Sequence, residues 1–254
     1  MEGNFYMTLS EFFQMYPKVA LAFSGGVDSA YLLYAALSCG AQVRAYYVKS
    51  AFQPQFELED AQRLAKELNA DMRVLQVDIL ANQHVASNPA DRCYYCKREI
   101  FTAIFDAAVE DGFSVLIDGT NASDDAGDRP GMRALREMSV RSPLRECGLT
   151  KDEVRLRSKE AGLFTWDKPA YACLATRVSA GVAITEEMLQ KTEAAEDFLS
   201  SQGFSDFRVR MMGNAARLQL PEAQLPLLLE KRQAVVSELR KSYSAVLLDL
   251  EVRE

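Results

Sequence analysis

A short apolar segment, Val19–Phe23, runs directly into the hexapeptide Ser24–Ser29 (SGGVDS), and apolar residues then recur at helical spacing as far as Leu37. This order predicts a strand, a glycine turn and a helix. The two glycines free backbone N–H groups beside the N-terminus of a helix, where such groups bind phosphate oxygens. We therefore expect the turn to lie at the carboxyl edge of a sheet.

The turn differs from two common phosphate-binding loops. It lacks the lysine that follows the second glycine of a Walker loop, and it lacks the spacing of a dinucleotide fingerprint. It resembles instead the pyrophosphate loop of the ATP pyrophosphatase superfamily, from which the β- and γ-phosphates of ATP leave together after the substrate is adenylated. That resemblance implies that ATP and Mg²⁺ bind to Ser24, Gly25, Gly26, Asp28 and Ser29, with Mg²⁺ on Asp28. The alternative is a tight turn whose helix is capped by Asp28 or Ser29.

Strands and helices alternate through the first half of the chain. The predicted strands are Val19–Phe23, Val43–Val48, Met72–Val77 and Ser114–Asp118, and the predicted helices between them are Asp28–Leu37, Glu57–Asn69 and Cys93–Glu110. Such alternation predicts an α/β fold with a doubly wound parallel sheet.

A second polar loop, Asp118–Asn121, comes at the end of the last of these strands. Gly119 allows a nucleotide to approach closely and Asn121 supplies an amide, so this loop is predicted to form a second wall of the nucleotide pocket. A bare turn is the alternative. Three nearby residues are either metal ligands or members of a solvated acidic loop, namely Asp124, Asp125 and Asp128.

The order of elements changes towards the C-terminus. From Thr185 it becomes helix Glu186–Ser201, strand Phe204–Met211, strand Ala215–Leu220, helix Pro221–Tyr243 and strand Ala245–Leu250. This order predicts a smaller α+β domain. We place the boundary near Ala180-Gly181, which gives a nucleotide-binding domain over residues 1–180 and a smaller domain over residues 181–254.

Three of the five cysteines are candidates for chemistry. Cys93 and Cys96 open a predicted helix and share one face of it, where the helix dipole favours thiolate. Cys173 lies in a loop with Arg177, which is available to stabilise an anion. Three thiolates could hold a 4Fe-4S cluster with one iron left open. The alternatives are a redox pair, a zinc site completed by His84, and separate inert thiols.

An alternating strand supplies a candidate anion site. Phe207–Met211 alternates strictly, so Arg208 and Arg210 share the side opposite the apolar residues. In the next strand Arg217 and Gln219 are expected to face the same way. Three arginines on one sheet face form a phosphate or carboxylate clamp, unless the face is merely solvated.

Composition excludes several classes of protein. Hydrophobic types make up 48% of the 254 residues and the net charge is −7, so no overall field attracts nucleic acid or an anionic membrane. A run of about 20 apolar residues, which a membrane span requires, is missing, and the N-terminus is unlike a signal peptide. We expect a cytoplasmic protein that acts on a small molecule.

Taken together, these motifs resemble the LarE family of ATP-dependent sulfur transferases, which build the nickel-pincer nucleotide cofactor. The resemblance covers nearly the whole chain. Besides the two polar loops, it rests on Arg129–Gly131, Ser142–Leu144, Trp166–Pro169, Cys173–Arg177, Arg208–Arg210 and Ala216-Arg217. The middle and later motifs separate this family from the tRNA thiolases of the same superfamily.

The resemblance implies a chemistry of adenylation and sulfur transfer. ATP adenylates a carboxylate of pyridinium-3,5-biscarboxylic acid mononucleotide, pyrophosphate leaves, and sulfur is delivered to give a thiocarboxylate, with a second round on the other carboxylate. In one form of the family, counterparts of Cys93, Cys96 and Cys173 hold a 4Fe-4S cluster that carries an extra sulfide. In the other form, the counterpart of Cys173 gives up its own sulfur. This chain has all three cysteines, so we expect the cluster form.

Further roles follow from the same resemblance. Gly119 and Asn121 would contact the nucleoside part of ATP, and Glu196 would bind a metal unless it belongs to a solvated helix face. The substrate phosphate would be gripped by Thr176, Arg177, Arg208 and Arg210, supported by Arg217. Family members assemble as homo-oligomers, hexamers among them. The chain departs from the family at Met212 and Gln219, where His and Glu are frequent.

Two other functions remain open on the sequence. A tRNA thiolase would use the same loop and three cysteines, although the acidic composition disfavours RNA binding. A regulatory module would bind ATP or zinc without releasing pyrophosphate.

Overall fold

The computed structural model describes residues 6–124 and 130–251. The chain forms two compact units. The first comprises the described residues up to Ser50, with Gln55–Val77 and Asp91–Lys168, and the second comprises Ala51–Pro54, Asp78–Ala90 and the chain from Pro169.

The C-terminal segment of the second unit begins at Pro169, whereas the boundary was predicted near Ala180-Gly181, and two earlier segments belong to the same unit. Backbone hydrogen bonds explain the recruitment. The N–H of Leu174 donates to the carbonyl of Phe52 at 3.0 Å, and the N–H of Ile184 donates to that of Ala86 at 2.7 Å. Hydrogen bonds of this kind join residues that are far apart in sequence, so local patterning gave no sign of them.

The first unit is built on a four-stranded sheet. Its strands are β1 Lys18–Ala22, β2 Gln42–Lys49, β3 Asp71–Gln76 and β4 Leu116–Asp118. Their order is β3-β2-β1-β4, and every pairing is parallel. The predicted α/β fold with a parallel sheet is therefore confirmed. The carboxyl ends of β1 and β4 are neighbours, which brings the two polar loops to one edge of the sheet.

The helices of this half are α1 Leu9–Met15, α2 Val27–Ser38, α3 Gln55–Glu67, α4 Gln83–Ala86, α5 Arg92–Glu110, α6 Pro130–Glu137, α7 Pro143–Glu146 and α8 Lys151–Glu160. Helix α4 lies in the second unit and the others in the first. Helices α1, α4, α6 and α7 were not predicted, because they have four to eight residues each and are too short for a clear periodic pattern. Over residues 6–124 and 130–251, no helix is long and apolar enough to cross a membrane.

Both faces of the parallel sheet are covered by helices. On one face Leu21 belongs to a buried cluster with Phe12 of α1, Leu32 of α2 and Val154 of α8. On the other face Ala20 and Tyr46 pack with α5 and α6, through residues such as Ile104 and Leu135. A sheet buried on both sides needs apolar residues at consecutive positions, which is the pattern of β1.

The second unit has its own sheet. Its strands are β5 Arg208–Met212, β6 Ala215–Gln219 and β7 Ala245–Leu248, and its longer helices are α9 Glu186–Ser201 and α10 Leu225–Leu239. The β5–β6 pair is antiparallel and the β6–β7 pair is parallel.

Two boundaries in this unit differ from prediction. Strand β5 begins at Arg208 rather than Phe204, because Asp206 has a φ of 46° and interrupts extended backbone. Helix α10 begins at Leu225 rather than Pro221, because a 3-10 turn at Glu222–Gln224 comes first, and Pro226 lies in the first turn of the helix.

A buried hydroxyl gives a test of packing in the first unit. The side chain of Ser158, on α8, is fully buried and has no hydrogen-bond partner among the described residues. A buried polar group without a partner costs about 1–3 kcal/mol. We expect Ser158→Ala to raise the free energy of unfolding by about 1 kcal/mol, measured by urea denaturation.

The matched control is Thr150→Ala at the start of the same helix. Thr150 and Glu153 form a capping box, so this change should lower the free energy of unfolding by about 1 kcal/mol. A loss of stability in Ser158→Ala would contradict the assignment of an unsatisfied hydroxyl.

Candidate active site

The glycine loop closes on itself through two serine hydroxyls. The Oγ atoms of Ser24 and Ser29 are 3.1 Å apart, and the Ser29 hydroxyl donates to the carbonyl of Gly26 at 3.2 Å. Gly26 is the N-cap residue of α2, and within the described residues no side chain caps this helix. The structure therefore lacks the predicted alternative of a side-chain cap from Asp28 or Ser29. It leaves the start of α2 open to an anion.

Glycine is required at two positions where backbones meet. Gly25 has a φ of 73°, and a Cβ atom there would lie 3.1 Å from the Cβ of Ala61 on α3. At Gly119 a Cβ atom would lie 2.8 Å from the backbone nitrogen of Ser29. The second polar loop thus packs directly against the first turn of α2, and any side chain at residue 119 would push the two apart.

Asp28 is the centre of a polar cluster at this edge of the sheet. One carboxylate oxygen accepts a hydrogen bond from the amide of Asn121 at 3.3 Å, and the other lies 2.5 Å from the ammonium group of Lys151. Asn121 is buried, and its side-chain oxygen Oδ1 accepts from the N–H of Ser123 at 2.8 Å. The structure therefore brings the predicted residues Asp28, Gly119 and Asn121 together.

Lys151 was missed as a functional residue. The sequence analysis did not single it out, and in the structure it is the first residue of α8. A lysine is unfavourable at a helix N-terminus, where the helix dipole repels positive charge. A lysine at this unfavourable position was the signal in the sequence that could have indicated a functional role. The ion pair with Asp28 explains why the lysine is tolerated there.

Asp118 holds the second polar loop in place through side-chain hydrogen bonds. Its carboxylate accepts from the hydroxyl of Thr120 at 2.5 Å and from the hydroxyl of Ser142 at 2.7 Å. Asp118 is itself buried. The motif that begins at Ser142 therefore helps to hold the loop against α2.

The acidic residues after this loop divide into two groups. Asp124 accepts a hydrogen bond from the N–H of Asn121 at 2.9 Å and so closes the turn. Asp125 and Asp128 lie outside the described residues, as does Arg129. In the part of the chain that is described, no group of three or more His, Cys, Asp or Glu residues is arranged to hold a metal ion.

Cys93 and Cys96 both lie in the first turns of α5, as predicted. Cys93 is exposed and Cys96 is half-buried, and none of the five cysteines forms a disulfide. Tyr94, between them, donates its hydroxyl to Glu137 of α6 at 2.6 Å and carries the guanidinium of Arg133 4.1 Å from its ring centre. These contacts with α6 fix the turn that carries both thiols.

Cys173 caps a 3-10 helix, Leu174–Arg177, in the second unit. The hydroxyl of Thr176 donates to the carbonyl of Cys173 at 2.8 Å. Arg177 donates to the carbonyl of Ala172 at 3.0 Å and to the hydroxyl of Thr176 at 2.8 Å. The backbone on both sides of Cys173 is therefore held by hydrogen bonds.

Arg177 and Glu196 form a buried ion pair. Arg177 is 1% and Glu196 is 4% exposed, and their closest atoms, Nε and Oε1, are 2.7 Å apart. Burial alone would lower the pKa of Arg177, but the hydrogen bond to Glu196 and its charge raise it, so the guanidinium stays charged. Both oxygens of Glu196 also accept other bonds, from the N–H of Val209 at 2.9 Å and the hydroxyl of Tyr171 at 2.5 Å. A second bond from Arg177, from Nη2 to Oε2 at 3.0 Å, brings the hydrogen bonds that this carboxylate accepts to four.

The three strand arginines share one face of the second sheet. Arg210 lies opposite Arg217 and Arg208 lies opposite Gln219 in the antiparallel register, which confirms the predicted alternation. Arg208 is buried, donates to the carbonyl of Ala170 and stacks over Tyr171 at 5.1 Å.

The other two arginines of this face have different partners. Arg210 donates to the carbonyl of Thr176 at 2.8 Å and to the side chain of Gln219. Arg217 lies 3.4 Å from the carboxylate of Asp249. Their predicted contact with a substrate phosphate stays a prediction.

A parallel α/β sheet with a glycine loop at its carboxyl edge, an open helix start and an adjoining Asp–Lys–Asn cluster defines an enzyme of the ATP pyrophosphatase class. In agreement, the family described as queuosine biosynthesis protein QueC matches residues 18–92.

Comparison with individual relatives is more specific. The chain is 38% identical to an uncharacterized protein of Synechocystis over 85% of this chain and 81% of the relative. It is 34% identical to the pyridinium-3,5-bisthiocarboxylic acid mononucleotide synthase of Lactiplantibacillus plantarum over 82% of this chain and 76% of the relative. A tRNA-specific 2-thiouridylase of Fervidobacterium nodosum is 26% identical over 41% of this chain. The chain belongs to the LarE family of pyridinium-3,5-bisthiocarboxylic acid mononucleotide synthases and is an enzyme.

The close approach at Gly119 gives a direct test of the nucleotide site. In Gly119→Ala the new methyl group must displace the backbone of Ser29, at a cost of about 1–3 kcal/mol. We expect the affinity for ATP, measured by calorimetry, to fall roughly tenfold or more.

Gly162→Ala is the control, because a Cβ there meets no neighbour although φ is 70°. It should lower stability and leave the affinity for ATP unchanged. Unchanged ATP binding in Gly119→Ala would mean that the two loops do not shape the nucleotide site.

Proposed function

We propose that this enzyme is an ATP-dependent sulfur transferase that converts the carboxylates of pyridinium-3,5-biscarboxylic acid mononucleotide into thiocarboxylates, in nickel-pincer nucleotide cofactor biosynthesis. The observation that carries the proposal is the open glycine loop with Asp28 and Lys151 beside it. The name of the relative from Lactiplantibacillus plantarum supplies the product.

In the first step the glycine loop would hold the β- and γ-phosphates of ATP. Asp28 fits a Mg²⁺ site, because Mg²⁺ binds through one or two carboxylates together with substrate phosphates. A substrate carboxylate oxygen attacks the α-phosphorus of ATP, the bond to the β-phosphate oxygen breaks, and pyrophosphate leaves. Lys151, at 2.5 Å from Asp28, is placed to neutralise charge on that leaving group.

In the second step a sulfur nucleophile attacks the acyl carbon of the adenylate. The C–O bond to AMP breaks, AMP leaves with that oxygen, and a thiocarboxylate remains. We propose that Cys93, Cys96 and Cys173 hold a 4Fe-4S cluster, which when bound supplies an open iron that can carry an extra sulfide. The thiols at Cys93 and Cys96 suit cluster ligation, because they are not in a disulfide and occupy the start of one helix.

The sacrificial alternative uses Cys173 alone. Its sulfur would attack the acyl carbon and displace AMP, and β-elimination would then leave dehydroalanine in the protein. The loop around Cys173 supports either form, because its backbone is fixed while the side chain is half-buried rather than enclosed.

We assign different duties to the predicted substrate-binding residues. We propose that the anionic groups of the mononucleotide bind to Arg210, Arg217 and Thr176, and that the buried Arg208 lies under this binding surface. Arg177 and Glu196 are proposed to hold the Cys173 loop instead, because Glu196 already accepts four hydrogen bonds and has no lone pair to offer a metal. Assembly as a homo-oligomer, a cytoplasmic location and independence of nucleic acid complete the proposal.

A tRNA thiolase is the second candidate, and the similarity to the 2-thiouridylase of Fervidobacterium nodosum favours it. The two functions differ in what triggers pyrophosphate release. The proposed function requires the biscarboxylate mononucleotide as trigger, whereas release that requires tRNA would support the second candidate. ATP binding with no pyrophosphate release in the presence of either compound would support a regulatory module.

Lys151 gives the sharpest test of the adenylation step. We expect Lys151→Met to lower the rate of substrate-dependent pyrophosphate release by about 10- to 100-fold, because a hydrogen bond to a charged group is worth about 1.5–3 kcal/mol. Lys159→Met, on the same helix but beside Trp166, is the control and should keep the wild-type rate. Equal rates in both variants would exclude Lys151 from the step.

The cluster assignment is tested by metal content. Protein purified without oxygen is expected to contain about four irons per chain with matching acid-labile sulfide. Cys93→Ala should lose this iron, whereas Cys39→Ala, which changes an exposed thiol at the end of α2, should retain it. Full iron in Cys93→Ala, or one zinc in place of iron, would contradict the cluster.

A further inference from the structure

Asp249 is an acidic residue on the face of the three strand arginines. It follows β7, and its N–H donates to the carbonyl of Leu218 in β6 at 2.8 Å, so it continues the strand pairing. Leu247, two residues earlier, lies level with Arg217 in the parallel register. Residues two apart on a strand share a face, which places Asp249 on the arginine side of the sheet.

A continuous chain of contacts links Asp249 to the arginines. The amide of Gln219 donates to the carboxylate of Asp249 at 2.8 Å, and Arg210 donates to the carbonyl oxygen of the same amide. Arg217 approaches the same carboxylate oxygen to 3.4 Å. The bond from Gln219 and the charges of Arg217 and Arg210 lower the pKa of Asp249, so it is ionised at neutral pH.

The exposures of the two charged partners differ. The side chain of Asp249 is 12% exposed, whereas that of Arg217 is 39% exposed. Arg217 is therefore open to solvent on one side and paired with Asp249 on the other. An anionic ligand that reached this face would find Arg217 already paired with Asp249.

We propose that Asp249 is a resident carboxylate that competes with the phosphate or carboxylate of the substrate for Arg217 and thereby sets the affinity and selectivity of this face for anions. The inference deepens the proposed function, since it concerns the same substrate-binding arginines. Binding of the ligand replaces Asp249 as the partner of Arg217. The negative charge of Asp249 disfavours ligands whose own negative charge is too small to displace Asp249 from Arg217.

The test is calorimetric titration with inorganic phosphate, which requires no turnover. Asp249→Asn keeps the size of the side chain and an oxygen that can accept from Gln219, and it removes the charge. We expect the affinity for phosphate to rise about fivefold to tenfold, because a unit charge near 4 Å is removed from the site. Glu238→Gln, which removes an equal charge from an exposed pair with Lys241, should leave the affinity unchanged.

Phosphate can also bind at the glycine loop, so a double-mutant cycle assigns the effect to this face. The gain from Asp249→Asn should disappear in an Arg217→Gln background. Thermal unfolding of each variant checks that the sheet is intact, and Asp249→Ala serves as a second charge-removing variant. Weaker or unchanged phosphate binding in folded Asp249→Asn and Asp249→Ala would overturn the proposal, because it would mean that Asp249 supports Arg217 rather than competing with a ligand. Failure of sulfur transfer in the wild-type enzyme would leave this outcome unaffected.

Discussion

The contact between Gly119 and the first turn of α2 organises the polar cluster at the carboxyl edge of the first sheet. With only 2.8 Å between a would-be Cβ atom and the nitrogen of Ser29, the two loops can meet only because residue 119 has no side chain. That contact brings Asn121 to Asp28, and Asp28 in turn holds Lys151 at the start of α8. Groups from three separate helix and strand ends thereby converge on one edge of the sheet, and the proposed binding and neutralisation of pyrophosphate would use all of them.

The second unit contains a buried ion pair between Arg177 and Glu196. The loop that carries Cys173 buries Leu174 and Ala175, and hydrogen bonds to the carbonyls of Ala172 and Cys173 hold its backbone further. Arg177 and Glu196 help to hold this loop in place, because each makes several hydrogen bonds and neither is exposed to solvent. Removing one partner would leave a buried charge uncompensated, which is strongly destabilising. The pair therefore ties the position of Cys173 to the stability of the surrounding fold.

Periodicity and loop chemistry were sufficient to predict the parallel sheet, the glycine loop and the shared face of Arg208, Arg210 and Arg217. Each of these depends on residues close together in sequence. Contacts between distant residues could not be predicted in this way, and they include the ion pair of Lys151 with Asp28 and the recruitment of Ala51–Pro54 to the second unit. The hydrogen bonds from Tyr171 and Val209 to Glu196 are also contacts of this kind.

The proposed reaction is the adenylation of a substrate carboxylate, followed by attack of sulfur on the adenylate. It is tested most directly by supplying the biscarboxylate mononucleotide with heavy oxygen in its carboxylates, together with ATP and sulfide in the absence of air, and measuring the masses of AMP and of the pyridinium product. If the substrate carboxylate is adenylated, we expect AMP to gain one heavy oxygen for each sulfur that enters the product. Sulfur-containing product with unlabelled AMP, or labelled AMP with no sulfur in the product, would contradict it.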